Sequence, residues 1–293
     1  MTEDHSPAPG APAHTTGDGW QVLTATQRGV AHDAVGLPNQ DAVAVRWLGG
    51  QGVVVAVADG HGHWRHFRSD RGSRLAVAAA CDEIAQRTAW LAGLTDVQQA
   101  RDQVHEVLVP AILARWREAV RADVKADPLT AEEEVRQPPG DDITIAYGTT
   151  LLVAVVWESR LVLAQVGDGD IIGIRVSGAP LLAVPADPLL DGRYTTSMCS
   201  PGAAQAFRAA AVDLSATPLL GVVLATDGYA NAQAAEGWQA AVTACLAEVI
   251  TEYPTPWLVE QLPQWASRCA SAEGSADDTT IALLLAPQAE PGE

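Results

Sequence analysis

Positive charge is what this chain is short of. It has 18 lysines and arginines against 36 aspartates and glutamates, a formal net charge of −18 over 293 residues. Phosphate backbones demand a basic footprint, so the balance argues against a nucleic-acid partner. It suits a protein that collects cations or meets a basic partner. Cysteine is also scarce. Cys81, Cys199, Cys245 and Cys269 show no Cys-x-x-Cys spacing. That argues against a disulfide framework or a zinc site and for a reducing cytoplasm. The start, "MTEDHSPAPGAPAHTTGDG", lacks the basic and apolar regions of a secretory signal. Residues 1–18 read instead as a disordered tail. The longest apolar stretch, "ITIAYGTTLLVAVVW", carries polar residues and a glycine. It suits strands better than a membrane span.

What is present is a large apolar fraction, 48% of residues, enough for a substantial core. Strands are expected at 20–26, at 42–48 and 52–59 as a hairpin, at 143–157, 160–167 and 170–176, at 218–228 and at 277–286. Apolar residues at helical spacing predict helices near 68–90, 96–123, 233–251 and 256–272. "KADPLTAEEEVRQPPGDD" reads as a surface connector, and 177–210 as a long irregular loop of the kind that is functional or mobile. Hairpin-joined strands imply antiparallel sheet, and helical pairs cover it, giving an α+β class. The expected domain runs from 19 to 286, with a tail at 287–293.

Aspartates mark the strand ends. "VVVAVADGHGHWRHF" (53–67) is an apolar run that stops at Asp59, and Asp41, Asp168, Asp227, Asp277 and Asp278 also sit at the edges of strong strands, several beside glycine. Any one of them is a turn former or a cap on its own. Gathered at one end of a sandwich they form an acidic cluster, which hard divalent ions with oxygen ligands would stabilise.

The motifs, in order, resemble the type 2C metal-dependent serine/threonine protein phosphatases (the PPM family), in a bacterial branch. They are "GLPNQDAV", "VAVADGHGH", "GTTLLVAVV", "AQVGDGD", "VLATDGYAN" and "DDTTIALLL". The resemblance implies an α-β-β-α sandwich of two antiparallel sheets flanked by helix pairs, with a binuclear metal site at one end. It implies two core Mn²⁺ or Mg²⁺ ions held by Asp41 and Asp59 with the Gly60 carbonyl, and completed by Asp227 and Asp277. Asp168 matches the position that helps Asp227 bind a third, weaker ion in bacterial relatives. His61 takes the place of the general acid for the leaving serine or threonine oxygen, with His63 behind it. The implied substrate is a phosphorylated protein, and a cognate kinase is a natural counterpart.

The chain also departs from the family pattern. The phosphate-holding arginine of many relatives is matched here by either Arg28 or His32. His32 is preferred because its place after Gly-x-x fits the bacterial branch. Gln40 stands where an acidic residue often precedes the first aspartate. Gly169-Asp170 replaces Ser-Arg, so the packing there must differ. "DDITIAY" (141–147) echoes the closing motif, but it precedes "GTT" and is expected only to cap a strand. Two other readings stay open: a phosphoprotein-binding regulatory module without turnover, and a small-molecule phosphatase with 177–210 as its lid.

Overall fold

The computed structural model describes residues 19–190, 195–233 and 236–287. The expected tails at 1–18 and 287–293 lie outside the described residues, apart from Pro287. In chain order the elements begin with β1 (Gln21–Gln27), α1 (Val30–Val35), β2 (Asp41–Trp47), β3 (Gly52–Asp59), α2 (Ser69–Ala85), α3 (Thr88–Gly93) and α4 (Val97–Gln103). A π-helical turn (Val104–Leu108) then leads into α5 (Val109–Ala126), α6 (Ala131–Arg136), a 3₁₀ turn (Ile143–Tyr147), β4 (Leu151–Trp157), β5 (Arg160–Val166), β6 (Asp170–Arg175) and β7 (Pro180–Leu181). The remainder is α7 (Ala203–Ala206), β8 (Arg208–Asp213), β9 (Leu219–Ala225), α8 (Asp227–Asn231), α9 (Trp238–Glu252), α10 (Thr255–Cys269) and β10 (Thr279–Leu285).

The strands form two five-stranded sheets, ordered β1-β10-β9-β6-β7 and β2-β3-β4-β5-β8, with antiparallel neighbours throughout. This is the α+β sandwich expected from the sequence. β3 shows why its text is an unbroken apolar run. Val53, Val55 and Val57 face the first sheet, beside Val222, Leu224, Ala282 and Leu284. Val54, Ala56 and Ala58 face the other way, into a core shared with Ala76, Val77, Ile112 and Trp116 of α2 and α5. Side chains alternate along a strand, and here both faces are covered. Full burial of each valine contributes about 1.5–3 kcal/mol. α9 and α10 close the outer face of the first sheet with Leu246, Ile250, Leu258 and Leu262.

Several elements differ from expectation. The strand expected at 143–157 is a strand only from Leu151. Residues 143–147 turn as a 3₁₀ helix because Asp142 caps it, its Oδ1 accepting from the Thr144 N–H at 2.9 Å. The expected surface connector holds α6, started by a capping box between Thr130 and Glu133. The expected helix at 68–90 stops at Ala85, and 96–123 is broken by the π turn just before Pro110. Proline has no N–H for the helical ladder and its ring crowds the preceding turn. The irregular stretch 177–210 contains β7, α7 and the start of β8. α1 was not expected, since none of its residues is buried and it shows no apolar stripe.

α2 sits close on the 3₁₀ turn because residue 72 is glycine. A Cβ there would lie 2.0 Å from the Tyr147 carbonyl oxygen. Trp116 Nε1 also donates to the Gly72 carbonyl at 3.1 Å. Gly72→Ala is therefore expected to lower the urea midpoint by a stability loss of about 1–3 kcal/mol. Gly93→Ala, at a helix end with nothing within 4 Å, is the control. It should leave the midpoint unchanged or raise it, and equal shifts in both variants would contradict this packing.

Candidate metal centre

β2 starts where β3 ends, so the antiparallel register places Asp41 directly opposite Asp59. β9 and β10 turn at the same end of the sandwich and bring Asp227, at the start of α8, and Asp277, just before β10. The β5–β6 turn adds Asp168, and Asp170 pairs with Ala225 at the end of β9. The strand ends thus deliver the expected aspartates to one end of the sheets. A surface groove of about 510 Å³, lined by Trp20, Glu158, Leu214, Pro218 and Pro287 among others, lies at the opposite end.

Asp41 is held from below. The Thr226 hydroxyl donates to Asp41 Oδ2 at 2.8 Å and accepts from the Thr280 N–H at 2.9 Å. Asn39 Oδ1 accepts from the Asp41 N–H at 2.9 Å, and its amide donates to Thr26 at 2.9 Å. Asp59 is held by its backbone: its N–H donates to Thr150 Oγ1 at 3.0 Å, and its carbonyl accepts from the Thr149 hydroxyl and the Thr150 N–H, both at 2.8 Å. Gly60 has to be glycine, because a Cβ would lie 2.6 Å from the Ser69 carbonyl oxygen and 2.7 Å from that of Gln40. The close approach leaves its backbone as the only part of residue 60 available to a ligand.

Burial governs the charges here. It pushes Asp41 well above the usual carboxylate range, against the hydrogen bond from Thr226 and with a further push from Asp278. Burial does the same to Asp59, with Asp41 and Asp227 adding repulsion. Asp227 is raised by burial and then by Asp168. Asp170 is pushed up to about 6 by burial, with Gln239 opposing and Asp168 adding to the rise.

Among the described residues no three His, Cys, Asp or Glu side chains are drawn into a ready-made metal-binding group. Like-charged carboxylates do not close to ligand distance by themselves. The donor set nevertheless fits a hard divalent cation. Asp41 Oδ1 is buried with no hydrogen-bond partner, Asp59 is buried and repelled by Asp41 and Asp227, and the side-chain donors are carboxylate oxygens.

The histidines divide. His32 is mostly buried, with Nδ1 2.8 Å from Asp278 Oδ2 and Nε2 3.9 Å from Asp277 Oδ1. His61 packs edge-on against His66, with ring centres 4.9 Å apart, and its backbone N–H donates to the Gly148 carbonyl at 3.1 Å. Burial, helped by His66, pushes its pKa down to about 3. His63 is exposed beside Trp64. Arg28 is also exposed and is occupied by Asp33 and the Leu37 carbonyl.

Asp278, expected only as a neighbour of Asp277, is 3% exposed and hydrogen-bonded from three sides. Thr226 and Arg208 were missed as well. The β5–β6 turn, which carries no arginine of its own, is held by Arg208 of β8, whose guanidinium donates to the carbonyls of Gly167 and Pro185. The signal for Thr226 was its place in "ATDG"; Arg208 had none, lying 41 residues from Gly167 in sequence.

The raised aspartates carry a sign. Folding takes up protons that the unfolded chain has released above about pH 4. The metal-free protein should therefore lose stability as pH rises from the ordinary carboxylate range through the raised values. Thermal melts of EDTA-stripped protein between about pH 5 and about pH 8 should show a falling Tm, flatter in Asp59→Asn and offset by Mg²⁺ or Mn²⁺ in the wild type. Equal slopes in both proteins would contradict the raised Asp59.

The model of the family described as Protein phosphatase 2C matches residues 28–265. No functionally curated protein matches the chain. Among solved structures, the serine/threonine phosphatase Stp1 from Staphylococcus aureus is 16% identical, covering 93% of this chain and 97% of that one, with a TM-score of 0.59. The S. agalactiae serine/threonine phosphatase is 17% identical over 91% of this chain and 99% of its own, TM-score 0.57. The catalytic domain of the serine/threonine protein phosphatase PstP, in complex with two manganese ions, is 17% identical over 91% and 97%, TM-score 0.53. No helix among the described residues is long and apolar enough to cross a membrane. With the family match spanning most of the sandwich and the strand ends bearing its aspartates, the chain belongs to the protein phosphatase 2C family.

Proposed function

We propose that this chain is a metal-dependent protein phosphatase that hydrolyses phosphoserine and phosphothreonine. The observation that carries the reading is the gathering of Asp41, with its unpartnered buried Oδ1, and of Asp59 and Asp227, both raised by burial and by neighbouring charges, at one end of the sheets. Such a set is costly as it stands and favourable around divalent cations. Asp41, Asp59 and the Gly60 carbonyl would hold the two core ions, with Asp227 and Asp277 completing the site. Asp168 with Asp227 would hold a weaker third. Bound Mn²⁺ or Mg²⁺ supplies an activated water and neutralises charge on the transferring phosphoryl group.

The chain's own side chains do the rest. Thr226 fixes Asp41, and Thr150 fixes the backbone of Asp59, so the ligand oxygens need little reorganisation. His61 is neutral at physiological pH in this packing, so it assists the leaving serine or threonine oxygen as a neutral N–H donor. The manganese-bound PstP neighbour supports the choice of ions, and the bacterial serine/threonine phosphatase neighbours support the substrate class. A phosphorylated protein in the cytoplasm, and a kinase that supplies it, are the partners this reading calls for. One relative, PppA, is described as a key regulatory component of T6SS in Pseudomonas aeruginosa, which supports a regulatory setting. A second reading, phosphoprotein binding without turnover, draws on His61 being folded against His66.

Phosphate release from a phosphothreonine peptide separates the two. EDTA-stripped protein should be inactive and regain activity with Mn²⁺ or Mg²⁺, and Asp59→Asn should lose about 100-fold or more. Folded protein that binds the peptide and releases no phosphate with any divalent ion would leave the binding module standing. Faster turnover of phosphorylated metabolites than of peptides would point to a small-molecule substrate.

A further inference from the structure

Asp278 sits next to the proposed ligand Asp277 but is directed elsewhere. Its Oδ1 accepts from the Gly29 N–H at 2.7 Å, and its Oδ2 accepts from the Gln40 N–H at 2.6 Å. Oδ2 also lies 2.8 Å from His32 Nδ1. An oxygen accepting there places the ring hydrogen on Nδ1, so Nε2 carries a bare lone pair. The surroundings of Nε2 are acceptors too. Asp277 Oδ1 is 3.9 Å away, and a Cβ built on Gly62 would lie 3.7 Å from Nε2 and 3.5 Å from Gln40 Oε1. Gln40 is 7% exposed, and its Oε1 is buried with no hydrogen-bond partner. Arg28, in the same segment, spends its guanidinium on Asp33 and the Leu37 carbonyl.

A ring nitrogen, an amide oxygen and a carboxylate oxygen thus border one small space over Gly62. Buried acceptors left without a donor are unfavourable, and a further acceptor among them makes matters worse. A cation satisfies all three. The spacing suits one, since two ligands about 2.0–2.2 Å from the same ion stand about 4 Å apart on opposite flanks of it. The ring is also prepared for the task. Metal-ligating histidines donate their other N–H to a carboxylate, which fixes the tautomer and strengthens the ligand nitrogen. Asp278 gives His32 that partner. By holding Gly29 and Gln40 as well, it fixes both ends of the segment on which the ring stands.

The geometry points to His32 Nε2 as a nitrogen ligand of the ion at Asp277, with Asp278 as the positioning residue behind the ring. That an ion stands at Asp277 rests on the phosphatase reading above; the nitrogen in its ligand set goes beyond that reading. It gives His32 a different task from the phosphate contact that the family resemblance implies. It also bears on which ion is taken. Oxygen ligands suit Mg²⁺ as well as Mn²⁺, whereas imidazole suits transition ions. A histidine in the set biases this position toward Mn²⁺ or another first-row transition ion and against Mg²⁺.

The test uses the full chain, stripped with EDTA and titrated with Mn²⁺ alone. Electron spin-echo spectra of the Mn²⁺-loaded protein should show coupling to a ring nitrogen, assigned to histidine by ¹⁵N-histidine labelling and lost in His32→Gln. His32→Gln should weaken Mn²⁺ binding by about 10–100-fold and reduce the preference for Mn²⁺ over Mg²⁺, measured by competition, by about 10-fold. A purely structural role for His32 would lower both affinities alike and leave the preference unchanged, and that result would overturn the inference. So would a wild type without nitrogen coupling, the outcome expected if only water fills the space, or coupling that persists in His32→Gln. If His32→Gln does not fold, His61→Gln and His63→Gln decide it: coupling kept in both supports His32, and coupling lost in either overturns it. Turnover of a phosphopeptide is scored separately. Turnover without nitrogen coupling would keep the phosphatase reading and sink the inference, and coupling without turnover would do the reverse.

Discussion

Two sheets that share no backbone ladder have to be locked to one another where the chemistry is, and here a threonine does it. Thr226 leaves β9 of one sheet, takes a hydrogen bond from the Thr280 N–H of its neighbour strand, and gives its own to Asp41 at the start of β2 in the other. Thr26 of β1 extends the relay, touching Thr280 on one side and the Asn39 amide on the other. The apolar layer between the sheets sets their distance but not their alignment, because hydrophobic burial is not directional. The hydroxyl relay is directional. It sets where Asp41 stands relative to Asp227, one residue beyond Thr226, and so sets the spacing of carboxylates that come from different sheets.

The loops around this relay are tied down by buried arginines. Arg68 is 3% exposed and reaches Glu133, the carbonyls of Asp127 and Pro128, and the Tyr147 hydroxyl. It draws the connector and α6 against the 3₁₀ turn that precedes Thr149 and Thr150, the residues gripping Asp59. Arg208 does the equivalent on the other flank, where Thr196 donates to Asp187 and accepts from the Gly167 N–H. Both arginines face several acceptors, which suits a planar guanidinium with five donors better than an ammonium.

Much of this was legible in the residues. The unbroken apolar text of β3 announced a strand covered on both faces, and each aspartate at the end of such a run was a visible break in hydrophobicity. "ITIAYGTT" was misread because β-branched and aromatic residues favour strands, whereas the Asp142 cap and the Arg68 N–H bond to the Ala146 carbonyl hold it as a turn. The connector hid α6 because its six residues bury none of their side chains. The role of Asp278 was invisible for a different reason: its donors lie 238 to 249 residues away. Identity of side chain also could not separate it from Asp277, since the two differ only in which way the backbone turns them.

The position of β10 has a consequence for how the protein is made. It is the last described strand in chain order, yet it lies between β1 and β9, paired to both. On a ribosome the earlier strands emerge first. The second sheet can assemble from β2, β3, β4, β5 and β8 while β1 still has no neighbour to pair with. Only when β10 arrives do Thr280, Asp277 and Asp278 reach the site. A nascent chain therefore carries Asp41 and Asp59 before Asp277 and the Thr280 end of the relay have been made, so that end of the sandwich can order only after β10 has emerged.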